Sequence, residues 1–259
     1  MKPRSQKPPH GKFPQGKPAQ DKAPKGGAYW LYGRHACVAA AANPDRKILR
    51  AMATEASAAS LPAKLRPELA YPEDFQRLLP RDSVHQGVAL LVEPLPEPDL
   101  SVLAASGKLT GPVLLLDQVT DPHNVGAILR SAAAFDASAV IMLRHNAPEE
   151  NGALAKAASG ALEVVPVIRA GNLTQAMDQL KEYGYWIAGL AGDAPKTLSE
   201  SKLSSKTGLV LGAEGEGMRR LTRERCDLLV RLPISSKMES LNVSNAAAVA
   251  LYALCQNGA

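Results

Sequence analysis

The feature that most limits what this chain can fold into is an alternation that begins near residue 110. Short apolar runs at 113–117, 139–143, 164–168, 186–190 and 209–211 are separated by helical stretches such as 127–135, 173–183 and 218–226. Strands that alternate with helices build a parallel sheet, because each return to a parallel neighbour requires a crossover that lays a helix on one face. The runs are apolar at nearly every position, as expected of strands covered on both faces. The predicted fold class is therefore α/β. Ligands of such sheets bind in crevices at the C-terminal ends of the strands, so the loops after Leu116, Leu211 and Leu232 are the ones to inspect.

Upstream of that pattern the chain divides into three parts. Residues 1–27 are Pro, Gly, Lys and Gln with almost no apolar content, and six of them are proline. Such a stretch cannot offset its chain entropy by burial and is predicted to be disordered. It carries a net +6, whereas the whole chain carries +5, so the remainder sums to −1. The basic pI of about 9.1 is thus a property of the tail. The tail reads equally well as a solubilising segment or as an arm that attracts a polyanion. Residues 28–98 read as a small α/β unit, with strands near 29–32, 47–53 and 87–92, a helix over 34–42 and a short helix from 55. The run Glu93-Pro-Leu-Pro-Glu-Pro-Asp99 is a stiff, extended connector. Residues 99–109 are read as linker, and 110–259 as the main domain.

Three cysteines stand far apart with no Cys-x-x-Cys pair, so neither a zinc site nor a disulfide framework is expected. No apolar run is long enough to span a membrane, and the basic N-terminus lacks the apolar stretch of a signal peptide. A cytoplasmic protein is expected.

Three loops carry residues suited to chemistry. The first, Asp117-Gln-Val-Thr-Asp-Pro-His-Asn-Val-Gly-Ala-Ile-Leu-Arg130, leaves a buried strand and opens a helix. Asn124 is a candidate N-cap of that helix. Arg130 near a helix start suits a phosphate, although a capping Asn and a solvated Arg explain the pair as well. The second, Leu211-Gly-Ala-Glu-Gly-Glu-Gly-Met218, holds three glycines around Glu214 and Glu216. It has neither the G-x-G-x-x-G order nor the Lys-Ser/Thr ending of a P-loop. Its acids would repel phosphate and suit cationic and hydroxyl groups, though a plain tight turn also fits. The third runs from Leu232 into an Ala-rich helix, with Ser240, Asn242, Ser244 and Asn245 clustered where the helix begins. One cap needs fewer such residues.

Taken together and in order, these loops resemble the SpoU branch of the SPOUT RNA methyltransferases. The matching text is Asp121-Pro-His-Asn-Val-Gly-Ala-Ile-Leu-Arg130-Ser-Ala, Gly212-Ala-Glu-Gly-Glu-Gly217 and Ser240-Leu-Asn-Val-Ser-Asn-Ala-Ala247. Upstream, Tyr32-Gly-Arg-His-Ala36 and His85-Gln-Gly-Val-Ala89 resemble the ribosomal-protein-like RNA-binding domain of the rRNA-methylating members. The resemblance implies a parallel sheet whose C-terminal segment threads a trefoil knot, an exception to the un-knotted rule. It implies S-adenosylmethionine as cofactor, held at Gly212, Leu232 and Leu241 with Leu211 and Ile234 as neighbours. It implies a homodimer whose active site draws on both subunits. The catalytic set it implies is Asn124, Arg130, Glu214, Ser240 and Asn242. A guanidinium holds its proton in proteins, so Arg130 is read as a phosphate ligand that steadies a developing alkoxide. Glu214 would hold its loop or Asn124, and Ser240 and Asn242 would orient ribose or cofactor. The substrate implied is a guanosine ribose in large-subunit rRNA, free or in an assembling particle. A tRNA ribose methyltransferase and a non-catalytic RNA-binding member are the alternatives.

Overall fold

The computed structural model describes residues 27–81 and 83–258. The prediction of disorder for the basic tail falls on residues almost all of which lie outside that range. The small unit comprises β1 (Tyr29–Tyr32), α1 (Arg34–Ala42), β2 (Ile48–Ala53), α2 (Glu55–Ala58), β3 (Glu68–Leu69), α3 (Pro72–Leu78) and β4 (Val88–Val92). Its sheet runs β1-β4-β2-β3. β4 is antiparallel to both β1 and β2, and β3 is parallel to β2. α3 has no counterpart in the sequence reading. Pro72 at its first turn and the Asp74 side chain accepting from the Tyr71 backbone N–H at 2.9 Å start it.

The larger unit comprises α4 (Leu100–Ala105), β5 (Val113–Asp117), α5 (Pro122–Ala134), β6 (Ala139–Leu143), α6 (Gly152–Ala158), β7 (Val167–Ala170), α7 (Leu173–Glu182), β8 (Trp186–Leu190), β9 (Lys196–Thr197), β10 (Thr207–Gly212), α8 (Arg220–Arg225), β11 (Leu228–Arg231) and α9 (Val243–Gly258). Its seven strands are all parallel, in the order β7-β6-β5-β10-β8-β11-β9. The pleat sorts side chains between two cores. Leu114 and Leu116 of β5 join Val140, Met142, Leu209 and Leu211 under α5, α6 and α9. Val113 and Leu115 join Ala139, Ile141 and Val210 under α4 and α7. A sheet buried on both faces explains why its strands read as continuous apolar runs.

Several boundaries differ from the sequence reading, among them the linker and one strand. Residues 99–109 are not a linker: Asp99 caps α4 by accepting from the Ser101 N–H at 2.7 Å, and Leu100, Leu103 and Leu109 are buried against the main sheet. The strand expected at 164–168 begins instead at Val167. A 3-10 turn at Ala161–Glu163 follows α6, leaves Val164 70% exposed, and Pro166 then turns the chain into β7.

The two units share one core. Leu31, Ala36, Cys37 and Leu90 of the small unit lie in the same cluster as Leu129, Leu154, Ala158 and Leu162 of the larger one. α6 is the element between them. A side chain at Gly152 would run into the Trp30 carbonyl and the Tyr32 ring, so only glycine lets β1 approach this closely.

Candidate active site

Strand register brings the expected loops together. Asp117 pairs with Gly212, Val210 with Gly189, and Val230 with Leu190. The C-terminal ends of β5, β10, β8 and β11 therefore lie side by side along one edge.

At that edge the buried Asp117 carboxylate accepts from the Arg219 backbone N–H at 2.9 Å and from its Nε at 2.7 Å. This pulls the chain after β10 back onto β5. Between them, Ala213 and Gly217 exchange backbone hydrogen bonds at 3.1 and 2.9 Å, with Gly215 and Gly217 in the left-handed region at φ 82° and 71°. A side chain at Gly212 would meet the Gly217 backbone. The glycines thus make a pinched loop that carries Glu214 on its exposed side.

Asn124 does not cap α5. Asp121 does, accepting from the His123 N–H at 2.9 Å, and α5 starts five residues before the predicted 127. Asn124 sits in the first turn with its amide free to reach outward. Its Nδ2 donates to Glu214 Oε1 at 3.0 Å. Asn242 Nδ2 donates to the same oxygen at 2.6 Å and to Asn124 Oδ1 at 2.9 Å, and the Val243 N–H reaches Glu214 Oε1 at 3.3 Å. The three loops therefore meet in one hydrogen-bonded trio. Asn242 is also the cap of α9, its Oδ1 accepting from the Ser244 N–H at 3.0 Å and the Ser244 hydroxyl at 2.6 Å.

Beside the trio lies a cavity of about 410 Å³, within the roughly 300–1,000 Å³ usual for small-molecule sites. Gly212, Leu232, Leu241, Leu211 and Ile234, the expected cofactor residues, all line it, as do Glu214 and Ser240. Its wall is apolar where these leucines, Val243 and Ala246 face it, and Ile234 and Leu241 stay 41% and 38% exposed. Glu214, Glu216 and Glu239 add carboxylates. A bowl of apolar side chains and bare glycine backbone with carboxylates around it suits an aromatic base attached to a cationic tail.

Arg130 does not join the trio and does not line the cavity. Six residues after Asn124 it is about 9 Å further along α5 and about 240° round it. It is exposed and makes no hydrogen bond or ion pair with the described residues. The sequence reading missed the loop at 190–193, which lines the cavity, and the Arg223 fork that holds Asp193 at 3.0 and 2.8 Å and keeps its carboxyl below the usual range. The rule about strand ends pointed at three loops. The fourth needed the strand order, which sets β8 beside β10.

Residues 111–252 match the SpoU rRNA Methylase family model. The 23S rRNA (guanosine-2′-O-)-methyltransferase RlmB of Escherichia coli strain K12 is 49% identical over 174 residues, which are 66% of this chain and 71% of that protein. The crystal structure of the SpoU methyltransferase AviRb from Streptomyces viridochromogenes superposes with a TM-score of 0.74 at 23% identity, over 89% of each chain. The same enzyme in complex with its cofactor AdoMet gives 0.73 at 21%, over 89% of this chain and 90% of that one.

Proposed function

The chain belongs to the SpoU rRNA Methylase family, and we propose that it transfers the methyl group of S-adenosylmethionine to the ribose 2′-hydroxyl of a guanosine in large-subunit rRNA. It is an RNA 2′-O-methyltransferase that uses S-adenosylmethionine. The observation that carries the reading is the trio of Asn124, Glu214 and Asn242 beside a cavity with an apolar wall and carboxylates around it.

The residues present fit that cofactor. Gly212 and the pinched loop leave backbone open to a ligand, Leu211, Leu232, Ile234 and Leu241 would cover an adenine, and the carboxylates of Glu214, Glu216 and Glu239 suit a cationic sulfonium and amino group. When bound, S-adenosylmethionine supplies a methyl group already activated by its positive sulfur. The chain's own work is then to orient the ribose and manage a proton. Asn124 and Asn242 are held by Glu214 with amide atoms at the mouth of the cavity, and Ser240 lies in its wall. These groups orient the ribose and cofactor.

Arg130 binds the phosphate next to the reacting ribose and steadies the developing alkoxide. It does so from a second copy of the chain. What supports this is its exposed place on α5, one face of which it shares with exposed His123 and half-buried Ala127, while α9, which packs on α5, leaves Val249 and Tyr252 exposed and sets Tyr252 edge-on to Phe135 at 6.1 Å. An apolar strip with a bare arginine on it suits a homodimer in which each copy completes the other's site. The C-terminal segment threads the knot implied by the family. The support is that β11 lies beyond β8, yet the chain returns from it to place α9 against α5. The small unit binds the RNA. No helix among the described residues is long and apolar enough to cross a membrane. That the enzyme acts in the cytoplasm is supported by its likeness to an enzyme named for 23S rRNA.

The test is methyl transfer from tritiated S-adenosylmethionine to total RNA of cells lacking the protein, followed by nuclease mapping. Label in one alkali-resistant dinucleotide of large-subunit rRNA is expected. Label in tRNA would move the substrate there, and RNA binding without label would leave a non-catalytic member of the family. Arg130→Ala is expected to lower kcat by about 100-fold or more. Arg130→Lys should not restore it, because an ammonium cannot form the two-pronged phosphate contact.

A further inference from the structure

Where the two units meet, the Arg46 side chain is wholly buried. Its Nε and Nη2 donate to Glu163 Oε2 and Oε1 at 3.1 and 2.7 Å. Its Nη1 donates to Glu150 Oε1 at 2.6 Å and to the Glu93 carbonyl at 2.8 Å. Asn43 Nδ2 donates to Glu163 Oε2 at 2.9 Å, and the Tyr29 hydroxyl donates to Glu150 Oε1 at 2.7 Å. Burial and the Glu150 carboxylate push the Tyr29 hydroxyl well above its ordinary range, so it keeps its proton and donates. Burial works against the charge on Arg46, and Glu163 and Glu150 more than offset it.

The donors Tyr29, Asn43 and Arg46 belong to the small unit, and the two carboxylates that accept from them bracket α6. Glu150 stands just before Asn151, the α6 cap, and Glu163 ends the 3-10 turn that follows α6. α6 in turn lies on α5. A side chain at Gly126 would meet Ala157 Cβ at 2.5 Å and the Leu154 carbonyl at 2.6 Å, and Gly126 is two residues from Asn124. A path of direct contacts therefore runs from the fork on Arg46 through α6 to the first turn that carries Asn124.

Stability alone does not account for this cluster. A buried ion pair roughly breaks even against apolar side chains of the same volume. What a bidentate fork adds is direction, because its two parallel bonds fix an angle that an apolar contact leaves free to slide. We propose that Arg46 is a positioning residue: it fixes the angle between the small unit and the methyl-transfer site, so that RNA held on the one presents its ribose to the other. This rests on the reading of the small unit as the RNA-binding part.

The variant to compare with the full-length protein is Arg46→Met with Glu150→Gln and Glu163→Gln. Arg46→Ala alone would strand two carboxylates and report on folding instead. Three readouts are taken: S-adenosylmethionine affinity by titration calorimetry, small-angle X-ray scattering, and steady-state methyl transfer to rRNA. The expected result is unchanged cofactor affinity, a broader scattering envelope, and a fall in kcat/KM of about tenfold or more carried by KM, since a loosened link lowers the effective concentration of one surface at the other. Arg46→Lys, which keeps the charge and loses the fork, should show the same shift in KM. An unchanged envelope, or a broader envelope with the KM of the parent, overturns the proposal. If the parent protein methylates no RNA, the reading of the site fails, and the scattering alone then decides whether Arg46 sets the angle.

Discussion

Asn242 carries two jobs on one amide. Its oxygen caps α9, and its nitrogen donates to Glu214 and Asn124. Aspartate caps a helix as well as asparagine does, so Asn242→Asp keeps the first job and sets a carboxylate oxygen where a donor faced Glu214 Oε1 at 2.6 Å. Methyl transfer is expected to fall by about tenfold or more, out of proportion to any loss of melting temperature. Adding Glu214→Gln restores a donor opposite an acceptor and should recover part of the activity. A double-mutant cycle is expected to give a coupling of about 1 kcal/mol or more, and additive losses would mean the two side chains do not act together. The residues of this trio were legible in the sequence. The family resemblance offered Asn124 as one partner for Glu214, but local pattern could not show the contacts, because they span separations of 90 and 118 residues and depend on which strands are neighbours. The capping role assigned to Asn124 was mistaken for a local reason: Asp121 precedes a proline, and that pair starts the helix three residues earlier.

At the scale of elements, α5 and α6 touch so closely that a single methyl group is decisive. Gly126 lies inside α5, where glycine costs up to about 1 kcal/mol relative to alanine. An added Cβ would nevertheless meet Ala157, the Leu154 carbonyl and the Ala158 nitrogen at 2.5, 2.6 and 2.9 Å. Backbone atoms cannot swing aside, so Gly126→Ala is expected to destabilise the protein by about 1–3 kcal/mol despite its better propensity. Urea unfolding checks this, and a stabilised variant would show that the helices separate easily. Sequence periodicity marked α5, α7 and α9 and overlooked α6, because Gly-Ala-Leu-Ala-Lys-Ala-Ala is too short and too rich in alanine to show a face. β5, β6, β8 and β10 were read well for the opposite reason, since strands covered on both faces are apolar at nearly every position, whereas the edge strand β9, Lys196–Thr197, carries no such run and was not read.

The described residues form two sheets, and one of their core clusters runs through both units. Leu31 and Leu90 of the small sheet pack in the same cluster as Leu129, Leu154 and Leu162, and the Arg46 fork joins the same surfaces. Neither unit can lose its fold without exposing the flank of the other. Scanning calorimetry is therefore expected to give a single transition, coincident by near-ultraviolet and far-ultraviolet dichroism, and two resolved transitions would mean that the units fold independently. The proline-rich connector invited the opposite expectation, since a stiff, polar run usually marks a place where domains part. Covalent connection and physical contact lie in different places here. A chimaera joined at 93–99 would transplant Tyr29, Asn43 and Arg46 and leave behind Glu150 and Glu163. It would carry a buried cation without its anions, on a face shaped for another protein's α6. The physical seam of this small unit runs along α6 and not through the connector, so anyone grafting a new RNA-recognition surface onto this catalyst must rebuild on the graft the face that meets Glu150, α6 and Glu163.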